Sequence, residues 1–160
     1  MSADAESRTK TGTFLVVEAD EGAAVLREVH DGEIHTLESD GDLEPAEVLE
    51  ATLETVPPMH AVWTVVDIAS RGDIPVEASP ESPTKLARDL AAEQNVGEVT
   101  TRERAGEGEL HVLTVPADRT DAAAADVCED EETVARAARL GVGRVEVRAA
   151  DGVVSVRYLP

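Results

Sequence analysis

Short apolar runs separated by turn-forming residues dominate the first half of the chain, a pattern typical of β-strands. Four runs rich in β-branched and apolar residues predict strands at 13–19, 23–29, 33–38 and 62–68. A fifth run at 48–54 is ambiguous, because its Ala, Leu and Glu content favours a helix whereas the neighbouring strands favour a sheet. We predict a strand there, which gives this half of the chain five strands.

The second half mixes helical and strand spacing. An apolar stripe predicts a helix that is capped by Ser82 and has Pro83 at its first position. The residues of this stripe are Leu86, Ala87, Leu90 and Ala91. A second helical stretch covers about 120–140 and is interrupted near Cys128. Between the two helical stretches, the pattern predicts a strand at 109–115.

The end of the chain is the best-specified piece. Gly141 is placed to end the last helix, and two strands at 144–149 and 153–158 flank a turn at Asp151-Gly152. A two-residue turn sets the register, so one face of this hairpin is wholly apolar and the other is charge-matched. The predicted cross-strand pairs are Val145–Tyr158, Val147–Val156, Ala149–Val154, Glu146–Arg157 and Arg148–Ser155.

These elements predict an α+β protein with two parts. Residues 13–79 are predicted to form a small five-stranded OB-like β-barrel, because a short run of strands protects its edges best by curling into a barrel. Residues 80–160 are predicted to form an α+β unit with helices packed on a small antiparallel sheet. The polar residues 1–12 are predicted to be a disordered N-terminus.

Charge is the most unusual property of the chain. Over 160 residues there are 34 acidic and 14 basic side chains, a formal net charge of −20, and only Lys10 and Lys85 are lysines. In molar salt the Debye length falls to about 3 Å, so this many like charges repel one another little. Dense carboxylates hold water and ions at the surface, whereas the apolar stem of lysine opposes this. The composition resembles that of cytoplasmic proteins of extreme halophiles, and we expect high KCl to be required for stability.

The sequence lacks the signatures of membrane-spanning and secreted proteins. No apolar run reaches the roughly 18 residues that a membrane span needs, and the N-terminus has neither the basic nor the apolar region of a signal peptide. We therefore expect a cytoplasmic protein that makes no contact with a membrane.

Candidate chemistry is sparse. Cys128, the single cysteine, stands among acidic residues that raise a thiol pKa, so we interpret it as a small buried apolar residue rather than a nucleophile. His30 and His35 flank a hairpin turn predicted at Asp31-Gly32, but their spacing matches no known ligand pattern. We expect no catalytic residues, no metal site and no cofactor, and we predict that the protein is not an enzyme.

Two resemblances add to this reading. Residues 24–32, 45–51 and 61–68 resemble the strand-and-turn pattern of OB-type barrels, in particular the TRAM variety, which implies RNA binding on the barrel face. The chain as a whole resembles a family of small acidic haloarchaeal proteins of uncharacterised function, which implies a salt-adapted origin but no activity. That second resemblance is carried by the stretches 10–16, 48–53, 108–116 and 152–160.

Trp63 is the candidate for contact with a ligand or partner. It is the only tryptophan, and it can fill the core with Phe14 and Met59, stack on a base, or anchor a partner. The leading hypothesis is a non-enzymatic module that binds a protein partner or a second copy of itself, through the barrel face or the apolar C-terminal hairpin. The alternative is an RNA-binding accessory protein that uses the OB-like barrel face and Trp63.

Overall fold

The computed structural model describes residues 7–38, 41–104 and 106–160. The chain divides into two compact units, the first ending at Asp73 and the second beginning at Ile74. Across the described residues the structure has two sheets of five strands and three α-helices. The predicted α+β class is confirmed.

The first unit is built from five strands hydrogen-bonded in a ring. They are β1 (Thr9–Asp20), β2 (Ala23–Glu28), β3 (Ile34–Glu38), β4 (Val48–Thr55) and β5 (Trp63–Gly72). The order is β1-β2-β3-β5-β4, and β4 pairs with β1 to complete the ring. Neighbouring strands are antiparallel, except that β3 and β5 run parallel and pair only at Leu37 and Trp63.

The ambiguous stretch in this half of the chain is a strand. β4 buries Leu49, Ala51, Leu53 and Thr55, which alternate with more exposed residues. This period of two places one side of the strand in the core and matches a sheet rather than a helix. The prediction of a strand is therefore confirmed, and tertiary pairing overrides the helix-favouring composition.

The core of the first unit lies inside the ring. Its largest side chains are fully buried: Phe14, Leu26, Leu37, Leu49 and Leu53. Met59 was expected to join this core but is 84% exposed, because it lies in the turn between β4 and β5 and not on a strand.

Glu28 supplies the one buried carboxylate among the described residues of the first unit. Glu28 ends β2, and its Oε1 accepts the backbone N–H groups of His30 (2.6 Å) and Asp31 (3.0 Å). Its Oε2 accepts the N–H of Thr13 in β1 at 2.9 Å. Three charge-assisted hydrogen bonds replace water around the carboxylate, so Glu28 fastens the β2–β3 turn to the neighbouring strand.

The N-terminal prediction needs correction. Residues 1–12 were expected to be disordered, but β1 begins at Thr9, and Thr9–Gly12 pair with β4. The segment is a strand because its backbone pairs with β4 as far as Thr9, which lies opposite Glu54. Residues 1–6 of that prediction lie outside the described residues.

The second unit has a mixed sheet. Its strands are β6 (Val76–Ala78), β7 (Val99–Glu103), β8 (Glu109–Thr114), β9 (Arg144–Ala150) and β10 (Val153–Leu159), in the order β6-β9-β10-β8-β7. The sheet was predicted to be antiparallel, but β6 runs parallel to β9. This pairing also draws residues 74–79 into the second unit, whereas the boundary was predicted at residue 80.

The first helix, α1 (Lys85–Ala92), begins later than predicted. Thr84 rather than Ser82 is its N-cap, because the extended Thr84 side chain accepts the N–H of Ala87 at 3.2 Å. Leu86 was assigned to the buried stripe but is 49% exposed. Strand β7 was not predicted, since its sequence is short and mostly polar and its residues are largely exposed.

The long helical stretch is two helices, α2 (Thr120–Glu129) and α3 (Glu131–Leu140). The predicted interruption near Cys128 is confirmed: Asp130 is extended and caps α3 by accepting the N–H of Glu132 at 2.9 Å. α3 ends at Gly141 in the left-handed conformation, and the Val142 N–H reaches the Ala137 carbonyl at 3.1 Å. This is the Schellman ending that the sequence predicts.

The C-terminal hairpin has the predicted register. All five predicted cross-strand pairs are present between β9 and β10. Its apolar face packs against α2 and α3, whereas α1 covers the opposite face through Leu110 and Val112 of β8. Because the apolar face is buried within the chain, it is not an exposed docking surface, and that part of the leading hypothesis is withdrawn.

Candidate interaction sites

A gap between β3 and β5 opens one side of the first unit. After the single pair between Leu37 and Trp63, the edge of β5 that faces β3 has no strand partner in the described residues. On its other edge, β5 pairs with β4 along its length, with two irregularities in register. Bulges of this kind bend a strand, so β5 is not a straight strand beyond Trp63.

The gap forms a groove with an apolar floor. It has a volume of about 560 Å³, and its apolar lining is Leu37, Leu43, Val65, Val66 and Ile68. Ile68 lies opposite the buried Ala51 and so points toward the inside of the ring, yet it is 38% exposed. The groove therefore gives solvent access to side chains that a fully paired ring would cover.

The rim of the groove is acidic. Glu38, Asp42 and Asp67 supply carboxylates to its lining. Asp42 accepts a hydrogen bond from Arg71 at 2.6 Å, and the same arginine binds Glu47 through two bonds of 2.8 Å. The bonds from Arg71 lower the pKa of Glu47, which therefore stays ionised. A single arginine does not balance all of these carboxylates, so the rim keeps an excess of negative charge.

Trp63 lies at the edge of the core and lines a second pocket. It packs against the core cluster, and its ring meets the His35 ring edge-on, with centroids 4.9 Å apart. The pocket has a volume of about 370 Å³ and also includes Arg8, Lys10 and Ile34. The sequence left a core role and a contact role open for Trp63, and its position is compatible with both.

The neighbours of Trp63 combine a buried imidazole with cations. His35 is 4% exposed, its Nε2 has no hydrogen-bond partner among the described residues, and burial together with nearby Lys10 lowers its pKa. Lys10 donates hydrogen bonds to the carboxylates of Asp31 and Glu33, and these bonds raise its pKa. The pocket thus combines an aromatic wall and a buried histidine with two cationic side chains and the carboxylate of Glu33.

The other candidate residues do not come together. Burial, and secondarily Glu129, raises the pKa of Cys128, which packs beside the α2–α3 core as a partly buried side chain. His30 is exposed, whereas His35 is buried. Within the ranges that the structure describes, no group of three or more His, Cys, Asp or Glu side chains is arranged to hold a metal ion.

Sequence reasoning missed the groove. Its signal was present in the run that contains Val65, Val66 and Ile68, where apolar residues break the alternation expected of a half-buried strand. Such a break is the signature of a bulge, but it does not reveal which neighbouring strand is absent.

No helix in the described part of the chain is long and apolar enough to cross a membrane.

Comparisons with known proteins give one match. No curated protein and no solved structure matches the chain. The model of a family of unknown function, DUF5812, matches residues 10–149, which is most of the chain. The protein therefore belongs to the DUF5812 family.

Proposed function

We propose that this protein is a non-enzymatic interaction module whose first unit binds an extended segment of a partner protein in the groove between β3 and β5. The observation that carries the proposal is the open edge of β5. Beyond Trp63 this edge presents backbone N–H and C=O groups to the groove, next to the exposed side chains of Val66 and Ile68. An added strand would satisfy the backbone groups and cover the apolar side chains.

The chemistry of the groove specifies the partner. An extended segment places alternate side chains on one face, so apolar residues at every second position can cover Val66 and Ile68. The carboxylates of Glu38 and Asp67 favour Lys or Arg at the intervening positions. The partner segment is therefore extended, apolar on one face and basic on the other.

Two further properties belong to the same proposal. The order β1-β2-β3-β5-β4, with β3 parallel to β5, supports an OB-like barrel that is open on one side. The net charge of −20, with arginine replacing nearly all lysine, supports a protein that works in the salt-rich cytoplasm of a halophilic archaeon.

A pair of designed peptides tests the groove. A labelled peptide of about ten residues that alternates Lys and Val is compared with one that alternates Glu and Val, in molar KCl. We expect the Lys peptide to bind with a saturable change in anisotropy and to slow hydrogen exchange at backbone amides of β5 after Trp63. The Glu peptide has the same apolar face and is expected to bind much more weakly.

Two valine variants locate the site. Val66 is 51% exposed in the groove, and Val96 is 62% exposed in the second unit. We expect Val66→Lys to weaken binding of the Lys peptide about tenfold and Val96→Lys to leave it unchanged. Equal binding of both peptides, equal effects of both variants, or no binding at all contradicts the proposal. A dimer that Val66→Lys dissociates would instead identify a second copy as the occupant.

RNA binding is the second candidate function, because the Trp63 pocket sets an aromatic wall beside Arg8 and Lys10. A base can stack on such a wall while the cations contact phosphates. Titration with single-stranded RNA in molar KCl should then quench Trp63 fluorescence to saturation. Lys10→Gln should weaken binding, and Lys85→Gln, which alters the only other lysine, should not. Absence of saturable quenching excludes this role for Trp63.

A further inference from the structure

The second unit carries a pocket where arginines gather. It lies on the face of the sheet that α1 covers, and has a volume of about 270 Å³. Its walls include Leu86 of α1, Leu110 of β8 and three guanidinium groups, those of Arg102, Arg104 and Arg157. In a chain with 34 acidic and 14 basic side chains, three arginines around one pocket are a marked local excess of positive charge.

Strand register places these arginines on one face. Arg102 of β7 lies opposite Leu110 of β8, and Leu110 lies opposite Arg157 of β10. Cross-strand partners share a face of the sheet, so Arg102 and Arg157 flank Leu110. Arg104 follows the end of β7 and lines the same pocket. The regular sheet, rather than a mobile loop, sets the spacing of two of the three cations.

Only one of the three arginines is neutralised by a carboxylate in the described residues. Arg157 donates to Glu146 at 2.6 Å. Arg104 donates to the backbone carbonyl of Glu107 at 3.1 Å, which fixes its guanidinium without cancelling its charge. Arg102 is exposed and forms no salt bridge within the described ranges.

The acidic residue nearest in sequence does not cancel this charge. Glu103 contributes to the pocket wall, but it lies opposite Glu109 in the ladder. Glu109 belongs to the other face of the sheet, where it binds Arg136 of α3 at 2.6 Å. The alternation of side chains along β7 therefore places Glu103 and Arg102 on opposite faces of the sheet, although Glu103 reaches the edge of the pocket.

We propose that this pocket binds a small organic oxyanion, with the charged group held by Arg102 and Arg104 and a short apolar part resting on Leu86 and Leu110. Guanidinium groups recognise carboxylate and phosphate oxygens with paired hydrogen bonds, and they are more weakly hydrated than an ammonium group. Leu86 leaves much of its side chain exposed at the pocket, which gives an apolar body a surface to cover. The volume admits one charged group and a few carbons, not a nucleotide or a folded partner.

Titration with three potassium salts tests the pocket and separates the sources of the anion. Inorganic phosphate, n-butyl phosphate and hexanoate are added at constant KCl concentration while the arginine Nε–Hε signals are followed by NMR. We expect saturable shifts at Arg102 and Arg104 with n-butyl phosphate or hexanoate, and no shift at Arg119, an exposed arginine elsewhere in the same unit. Hexanoate binding alone identifies a carboxylate ligand, and n-butyl phosphate binding alone a phosphate ester.

Matched variants complete the test. Arg102→Gln should weaken binding about tenfold, and Arg119→Gln, which makes the same change of charge, should leave it unaltered. Leu86→Ala should weaken the binding of n-butyl phosphate but not the binding of inorganic phosphate. Arg104→Gln gives a second measurement if Arg102→Gln disturbs the fold. Absence of saturation with all three salts, or equal weakening by Arg102→Gln and Arg119→Gln, overturns the proposal. Neither result bears on the β3–β5 groove, which belongs to the first unit.

Discussion

The two units have five strands each but protect them in different ways. The first has no helix in its described residues, so its strands must cover their own core by pairing around a ring. The second covers both faces of an open sheet, with α2 and α3 on one side and α1 on the other. A ring is complete only when every pair of neighbouring strands is hydrogen-bonded, and in the described residues β3 and β5 are joined by one residue pair. The groove in the first unit results from that incomplete closure.

The units also differ in charge. The first has 17 acidic and 4 basic side chains, a net charge of −13, whereas the second has 17 acidic and 10 basic, a net charge of −7. The additional arginines of the second unit include pairs such as Arg136 with Glu109 and Arg157 with Glu146. Self-repulsion is therefore concentrated in the first unit, whose described residues include no helix to cover the sheet.

Dilution of salt should have the largest effect. From molar to about 10 mM KCl the Debye length grows from about 3 Å to about 30 Å, so repulsion among carboxylates extends over the whole first unit. We expect this loss to rival the total stability of a domain, about 5–15 kcal/mol, and to unfold the first unit before the second. Trp63 fluorescence reports the first unit and the ring signals of Tyr158 report the second. A chain that stays folded in dilute buffer would contradict both the halophilic interpretation and this order.

Gly108→Ala should damage only the second unit. Gly108 has a φ of +101°, and a Cβ there would lie 2.0 Å from the backbone oxygen of Tyr158. Neither backbone can retreat without breaking the β8–β10 ladder, so we expect a loss of about 4 kcal/mol in the free energy of unfolding. Gly106→Ala is the matched control, since Gly106 has a φ of +96° but open space around it. Urea unfolding should show the difference through Tyr158, and equal losses would refute the steric argument.

The contrast between the units explains what the sequence could predict. In the C-terminal hairpin both faces specify the strand register, one by apolar pairs and one by opposite charges. A shift of the register by one residue would therefore be unfavourable on both faces. Strand β7 has neither kind of signal, because Thr100, Thr101 and their neighbours are polar and mostly exposed. Its place at the edge of the sheet is set by pairing with β8, and a local pattern cannot show that.

The candidate sites were harder to predict, for a related reason. Trp63 was identified because a single tryptophan is conspicuous, but its pocket depends on Arg8, Lys10 and His35, which three different strands and the chain before them bring together. Likewise, the groove is defined by an absent strand pair, and absence leaves no mark in the sequence of β5 itself. Sites made by long-range pairing lie beyond what periodicity can resolve.

Glu28→Gln should weaken the first unit by a smaller amount. The Glu28 carboxylate accepts three backbone N–H groups, and an amide can keep one oxygen in place but must turn its NH₂ group toward other donors. We expect a loss of about 2–3 kcal/mol, seen through Trp63 fluorescence during urea unfolding. Glu18→Gln is an exposed control in the same unit, and it should slightly stabilise the protein by lowering repulsion. A harmless Glu28→Gln would show that water replaces the lost bonds.

The smallest predicted difference between the units is in their response to acid. Burial, together with Lys10, lowers the pKa of His35 from its usual 6.5. Just below pH 6.5 the unfolded chain therefore binds a proton at His35 that the folded first unit does not bind. Its stability should be full above pH 6.5 and fall as the pH drops below that value, by at most about 1.4 kcal/mol per pH unit.

The second unit should respond only at lower pH. Burial alone would raise the pKa of Glu109, but hydrogen bonds from His111 and Arg136 outweigh it and lower the pKa below 4.5. Its contribution is therefore lost only as the pH falls through that lower range. Urea unfolding in molar KCl is compared at about pH 7.5 and about pH 5.5. The free energy of unfolding followed by Trp63 should be lower at about pH 5.5, whereas that followed by Tyr158 should not change. His35→Leu should remove the difference in the first unit, because the group that binds the proton on unfolding is then absent; a slope that survives this change would assign the effect to other residues.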